Sequence, residues 1–181
     1  DANKGELTRF EFVSDRDSLL RAEAISFDKD SILRALDFVA FNDTTFLIPD
    51  YSGDSRFCWV NRQGKFLKKS GVIPSLNEEA LKEARPALAQ AWRSFIDYNP
   101  HNGVLVAATQ LGEVLEIYNL QNGFHRVCLG PKGEPEFKLA GGYAIPDGIM
   151  GFSDVQVTNE AIYAVFHGHT FKEIMAQHQK E

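Results

Sequence analysis

The sequence predicts an all-β protein, built as a partial β-propeller of four-stranded antiparallel blades with one helical insertion. Two observations lead to this fold class. Phenylalanine and glycine are both abundant, with 14 residues each in a chain of 181. Short strand-like segments, separated by turn signals, also recur in groups of four, which is typical of propeller blades. A β-sandwich is the alternative, but a sandwich does not require a four-strand cycle.

The composition indicates a single globular domain over residues 1–181. Hydrophobic residues make up 44% of the chain and charged residues 24%, which suffices for a real core. The net charge of −6 argues against a nucleic-acid partner, because phosphate contacts need clustered Lys and Arg. No apolar run approaches the roughly 20 residues of a membrane-spanning helix.

The first predicted blade covers about residues 36–71, after an isolated strand at Leu7–Val13. Asn42-Asp43 and the tract 49–54 are turn signals, and residues 62–65 form a hairpin turn. The segment 18–36 has no clean period and stays ambiguous. The four strands of the blade are predicted at 36–41, 44–48, 56–61 and 66–69.

A helical insertion is predicted at about residues 75–95, which are rich in Ala, Glu, Leu and Gln. Ser75 and Glu78 match a capping box. Apolar residues at spacings of three and four should pack against the sheet, among them Leu81, Leu88 and Trp92. Pro86 interrupts the pattern and predicts a kink or two short helices.

β structure then returns in a second blade at about residues 95–129. Residues 130–135 read as a loop. A third unit shows only its first two strands, at 152–158 and 161–167. The four strands of the second blade are predicted at 96–98, 104–109, 113–120 and 124–129.

Three segments resemble the TolB-like six-bladed propeller proteins of Gram-negative gut bacteria. They are 108–120 with Asn99-Pro100 before it, 61–74, and 152–158 with 162–170. The resemblance implies a cell-envelope protein of the periplasm or outer-membrane surface, often a lipoprotein, so that a peripheral lipid anchor replaces a membrane span. Such proteins are usually about twice this length. We therefore expect either a missing C-terminal half or self-association, since an open array of blades leaves strand edges uncovered.

No sequence motif identifies a catalytic residue: P-loop, nucleophile-elbow and zinc-protease motifs are missing from the sequence. His167 and His169 would share one face of a strand, but no third ligand stands at a fixed spacing. We therefore predict no metal site and no cofactor. Candidate binding residues are the polar loop members Asp50, Tyr51 and Arg56, together with Asp154, His167 and His169.

These features favour a non-catalytic binding or scaffold protein, whose ligand the sequence leaves open between protein and glycan. The alternative is a carbohydrate-active enzyme in which Asp97 and Asp154 face one channel as paired carboxylates. Cys58 and Cys128 lie 70 positions apart in strand-like segments and are predicted to be unpaired thiols.

Overall fold

The computed structural model describes residues 5–12, 19–28, 30 and 36–178. Its first element is an antiparallel hairpin of β1 (Glu6–Phe12) and β2 (Leu19–Ser26). β1 confirms the predicted first strand up to Phe12, whereas Val13 lies outside the described residues. β2 occupies part of the segment that the sequence left ambiguous.

The first blade is a four-stranded antiparallel sheet whose strands follow one another in chain order. Leu47 and Val60 on its two middle strands are fully buried, Leu47 in a cluster on one face of the sheet and Val60 in a cluster on the other. The predicted blade is thus confirmed. Its strands are β3 (Val39–Asn42), β4 (Thr45–Pro49), β5 (Phe57–Asn61) and β6 (Phe66–Ser70).

Two short helices, α1 (Glu78–Glu83) and α2 (Arg85–Ala91), connect the first blade to the second. Pro86 lies in the first turn of α2, where a missing N–H costs no hydrogen bond. The predicted break at this proline is confirmed. Trp92 and Leu88 are fully buried in one cluster, against which Leu81 is partly buried, as the apolar spacing predicts.

The predicted capping box at the start of these helices is wrong. The side chain of Asn77, not that of Ser75, caps α1 by accepting the backbone N–H of Ala80 at 3.0 Å. The Ser75 hydroxyl instead donates to Glu134 at 2.6 Å. Ser75 thus bonds to a loop far away in the chain and does not cap the helix.

The second blade repeats the first, again with its strands in chain order. Its second strand is the most deeply buried in the described chain, with every residue from Leu105 to Thr109 excluded from solvent. The strands are β7 (Ser94–Asn99), β8 (Val104–Thr109), β9 (Val114–Asn119) and β10 (Phe124–Leu129).

Two further segments have structure that the sequence analysis missed. A hairpin of β11 (Phe137–Ala140) and β12 (Tyr143–Pro146) packs on α2, and a third helix, α3 (Phe171–His178), follows the last strand. The expectation of a single helical insertion was therefore incomplete. Thr170 and Glu173 bond reciprocally at the start of α3, which is a capping-box signal that the sequence does contain.

The third unit consists of β13 (Phe152–Val157) and β14 (Ile162–Phe166), paired antiparallel. Val155 and Val157 of β13 pack into a cluster with Val106 and Ala108 of the second blade. This two-stranded unit confirms the prediction. The placement of His167 and His169 on a strand is wrong, because β14 ends at Phe166 and Gly168 turns the chain with φ +72°.

Candidate functional site

Arg56 lies at the interface of the first two blades, immediately before β5. It is 1% exposed, and its Nη2 is 2.6 Å from Oε1 of Glu116, whose side chain is 0% exposed. Its Nε donates to the same oxygen at 2.7 Å, and Nη2 also donates to the hydroxyl of Ser94. The second carboxylate oxygen of Glu116 accepts the hydroxyl of Tyr118. The structure therefore uses Arg56 to join the blades, and a ligand-binding role for it stays a prediction.

Asp50 belongs to the same loop between β4 and β5 and is also buried. Its carboxylate is 3.1 Å from Nζ of Lys69 and accepts the hydroxyl and the backbone N–H of Ser52. Gly53 follows with φ +95°, and a Cβ there would be 2.7 Å from the backbone of Arg85. The loop is thus packed tightly against the start of α2.

Tyr51 contacts a cation through its aromatic ring, whereas Asp50 and Arg56 form ion pairs. The guanidinium carbon of Arg93 lies 5.3 Å from the centre of the Tyr51 ring. Burial raises the pKa of the Tyr51 phenol to about 12. The buried Nε of Arg93 lacks a hydrogen-bond partner among the described residues, whereas the backbone of Ser94 interacts with the phenol of Tyr51. Sequence analysis missed Arg93, because nothing in its surroundings along the chain marks it.

Three carboxylates lie near one another on or beside the first strands of the three units. Asp37 accepts the backbone N–H of Ile96 at 2.8 Å, and Asp97 accepts that of Val157 at 2.6 Å. Burial raises the pKa of Asp37, and the charges of Asp154 and Asp97 raise it further. The structure therefore brings Asp97 and Asp154 to one region.

Asp37 is the member of this group that sequence analysis missed. A signal was present, since Asp37-Phe38 and Asp97-Tyr98 are matching acidic–aromatic pairs 60 residues apart. Asp37 lies just before β3, the first strand of the first blade, and Asp97 lies within β7, the first strand of the second blade.

The two histidines lie after β14 and are exposed. Backbone groups fix this segment: His167 N donates to Gly151 O at 2.9 Å, and His169 O accepts from Met150 N at 2.8 Å. Among the described residues, no three His, Cys, Asp or Glu side chains converge in a way that could hold a metal ion. In the same part of the chain, no helix has the length and apolar character needed to cross a membrane.

Comparison with known families decides what kind of propeller this is. The model of the family described as TolB-like 6-blade propeller-like matches residues 2–181. The chain belongs to this TolB-like propeller family. No curated protein and no solved structure matches it.

Asp37, Asp97 and Asp154 lie on or beside β3, β7 and β13, which are the first strands of three successive units in this TolB-like propeller. β7 contacts both β3 and β13.

Proposed function

We propose that this TolB-like propeller is a non-catalytic binding or scaffold module of the bacterial cell envelope, in the periplasm or on the outer-membrane surface. We further propose that it binds a second copy of itself by strand addition at β14. The location rests on the family resemblance. The binding mode rests on one observation, which is that β14 presents an uncharged, apolar edge that no other described strand pairs with.

The residues of β14 are Ile-Tyr-Ala-Val-Phe, without a charge or a proline. Tyr163 is 61% exposed and Val165 is 54% exposed. β8, the corresponding second strand of the complete blade, is covered by β9 and fully buried over most of its length. Long apolar edges of this kind template pairing with another chain.

The outer strands of the two complete blades differ from β14 in their chemistry. β6 carries Lys68 and Lys69, and β10 carries His125 and Arg126. Basic side chains on an edge strand oppose the approach of a further strand. Among these three edges, β14 is therefore the one suited to accept a partner.

A second copy of this chain fits the edge because the sequence of β14 is uncharged at every position and can pair with itself antiparallel. Such a contact about a two-fold axis is isologous and closes as a dimer. Each copy places its β14 beside that of the other, and the exposed Tyr163 and Val165 side chains pack across the new sheet.

Light scattering and analytical ultracentrifugation of the purified chain test the pairing. We expect a dimer for the parent protein, a monomer for Val165→Lys, and an unchanged dimer for Leu67→Lys, which places the same charge on exposed β6. Tyr163→Lys serves if Val165→Lys fails to fold. A monomeric parent protein, or association that neither β14 variant weakens, would overturn strand addition.

The enzymatic alternative has one observation in its favour, the raised pKa of Asp37 beside Asp97 and Asp154. A glycosidase needs one carboxyl group held protonated near a second that is ionised. Asp37 and Asp97, however, are both occupied by backbone N–H groups of the next unit, which is a structural use. A screen of polysaccharides tests this point: turnover that disappears in Asp154→Asn would overturn the non-catalytic assignment.

A further inference from the structure

A cavity of about 260 Å³ lies where α2, the loop between β8 and β9, and β12 meet. Its polar lining comes from Arg93, Gln90 and Gln110. Its apolar lining includes Leu111 and Ala144. The eight described residues that line it include no Asp or Glu.

Arg93 is an unpaired cation beside this cavity. Among the described residues, no carboxylate and no hydrogen-bond acceptor contacts its guanidinium, and its Nε is buried without a partner. The guanidinium lies over the ring of Tyr51, 5.3 Å from its centre. Arg56, in contrast, has both a carboxylate and a hydroxyl partner.

Leaving a buried donor of a charged group without an acceptor costs free energy. An acceptor supplied by a ligand would remove this cost at the Nε of Arg93. The two glutamines can add donors to the same site. Gln90 uses its Oε1 to accept the backbone N–H of Ala144 at 3.3 Å, which leaves its amide NH₂ available. The Gln110 side chain makes no hydrogen bond to the described residues, while its backbone N–H donates to Arg93 O at 2.7 Å.

We propose that this cavity binds a carboxylate group, with the guanidinium of Arg93 as its anchor and the amides of Gln90 and Gln110 as further donors. The planar fork of arginine matches a carboxylate with two parallel hydrogen bonds. A phosphate monoester carries a charge of about −1.5 to −2 and would be only partly neutralised by one arginine.

The size of the cavity limits what the carboxylate can belong to. Pockets for drug-sized ligands run from about 300 to 1,000 Å³, so 260 Å³ suits a small organic acid or the terminal residue of a peptide. The apolar side of the cavity, with Leu111, Met150 and Ala144, suits a short aliphatic portion next to the carboxylate. The site is independent of the β14 edge, and its test does not require the dimer.

Nuclear magnetic resonance of the side-chain Nε–Hε group of Arg93 reports directly on this hydrogen bond. Three probes are titrated: butyrate, a short peptide with a free C terminus, and the same peptide with an amidated C terminus. We expect butyrate to shift the Arg93 resonance. If the natural source is a peptide, the free-terminus form binds more tightly than butyrate and the amidated form does not bind.

Arg93→Gln should weaken binding by at least about tenfold, because it removes the charged fork. Arg126→Gln makes the same charge change at an exposed position on β10 and should leave the affinity unchanged. Arg93→Lys, which retains the charge without the fork, replaces Arg93→Gln if that variant does not fold.

Three outcomes would overturn the proposal. The first is no shift of the Arg93 resonance with butyrate or the free peptide up to about 50 mM, where even a millimolar site is filled. The second is equal binding to parent and Arg93 variants. The third is tighter binding of inorganic phosphate than of either carboxylate probe.

Discussion

The guanidinium of Arg56 and the carboxylate of Glu116 meet 2.6 Å apart between the first two blades, both excluded from water. The two residues are 60 positions apart: Arg56 lies just before β5 and Glu116 lies within β9, the third strands of successive blades. Glu116 is held further by the hydroxyl of Tyr118, whose ring contacts Phe57 edge-on. The pair thereby fixes how the blades lie against each other, since neither charge can be left buried alone.

Glu116→Gln should destabilise the protein by about 3–5 kcal/mol, because it leaves the charge of Arg56 buried without a counter-ion. The double variant Arg56→Met/Glu116→Gln should regain a large part of this loss, since no unpaired charge remains. Urea unfolding followed by circular dichroism measures both. Lys82→Met is the control, because the exposed Lys82–Glu78 pair should contribute less than about 1 kcal/mol. A loss for Glu116→Gln as small as the control would contradict the role of the pair.

The blades could be predicted from the sequence because their strands have local signals. Alternating apolar residues and turn residues such as Gly64 and Gly123 lie within a few positions of each other. The hairpin of β11 and β12 has strands of only four residues that are mostly exposed, so burial imposes little pattern on them. The start of α3 has a capping-box signal in the sequence, formed by Thr170 and Glu173. Apolar periodicity alone does not reveal it.

The candidate sites depend on contacts between residues far apart in the chain, and sequence spacing does not encode them. Tyr51 was predicted as a polar loop residue, but its pairing with Arg93 arises only when the loop packs on α2. Asp50 and Arg56 looked like free polar groups, yet Lys69 and Glu116 occupy them in the fold. Composition indicates which chemistry is present, whereas the tertiary structure decides which groups remain available.

Trp92→Ala should cost about 3–5 kcal/mol, because the side chain is fully buried in the cluster with Ile73, Leu88 and Val114. The same truncation at Leu76, which is 77% exposed just before α1, should change stability by less than about 0.5 kcal/mol. Thermal unfolding of both variants distinguishes the two positions. A loss below about 1 kcal/mol for Trp92→Ala would mean that α1 and α2 are not docked on the sheet.

Gly112→Ala should be much more damaging than Gly123→Ala, although both glycines have positive φ, +69° and +75°. The left-handed conformation alone costs an L-residue about 1–2 kcal/mol. At Gly112 a Cβ would also lie 2.6 Å from the backbone of Glu134 and Pro135, whereas at Gly123 nothing lies within 4 Å. Denaturant unfolding compares the two, and equal losses would contradict the close approach of the 133–135 loop to the β8–β9 turn.

The buried thiol of Cys58 makes the stability of the protein depend on pH. Both cysteines are unpaired, as the sequence predicts, with Cys58 buried and Cys128 half-buried. Burial raises the pKa of the Cys58 thiol to about 11, with the charge of Asp50 adding to the effect. In the unfolded chain a thiol titrates near about 8.5.

The folded state therefore keeps its proton on Cys58 while the unfolded state loses one, so this thiol stabilises the fold fully below about pH 8.5 and progressively less as pH rises towards 11. The expected loss is about 3 kcal/mol over that interval. Titrations of unfolding free energy for the parent and Cys58→Ala isolate it, because other groups that titrate there cancel in the difference. A parent curve parallel to that of Cys58→Ala would show that Cys58 ionises freely in the folded protein.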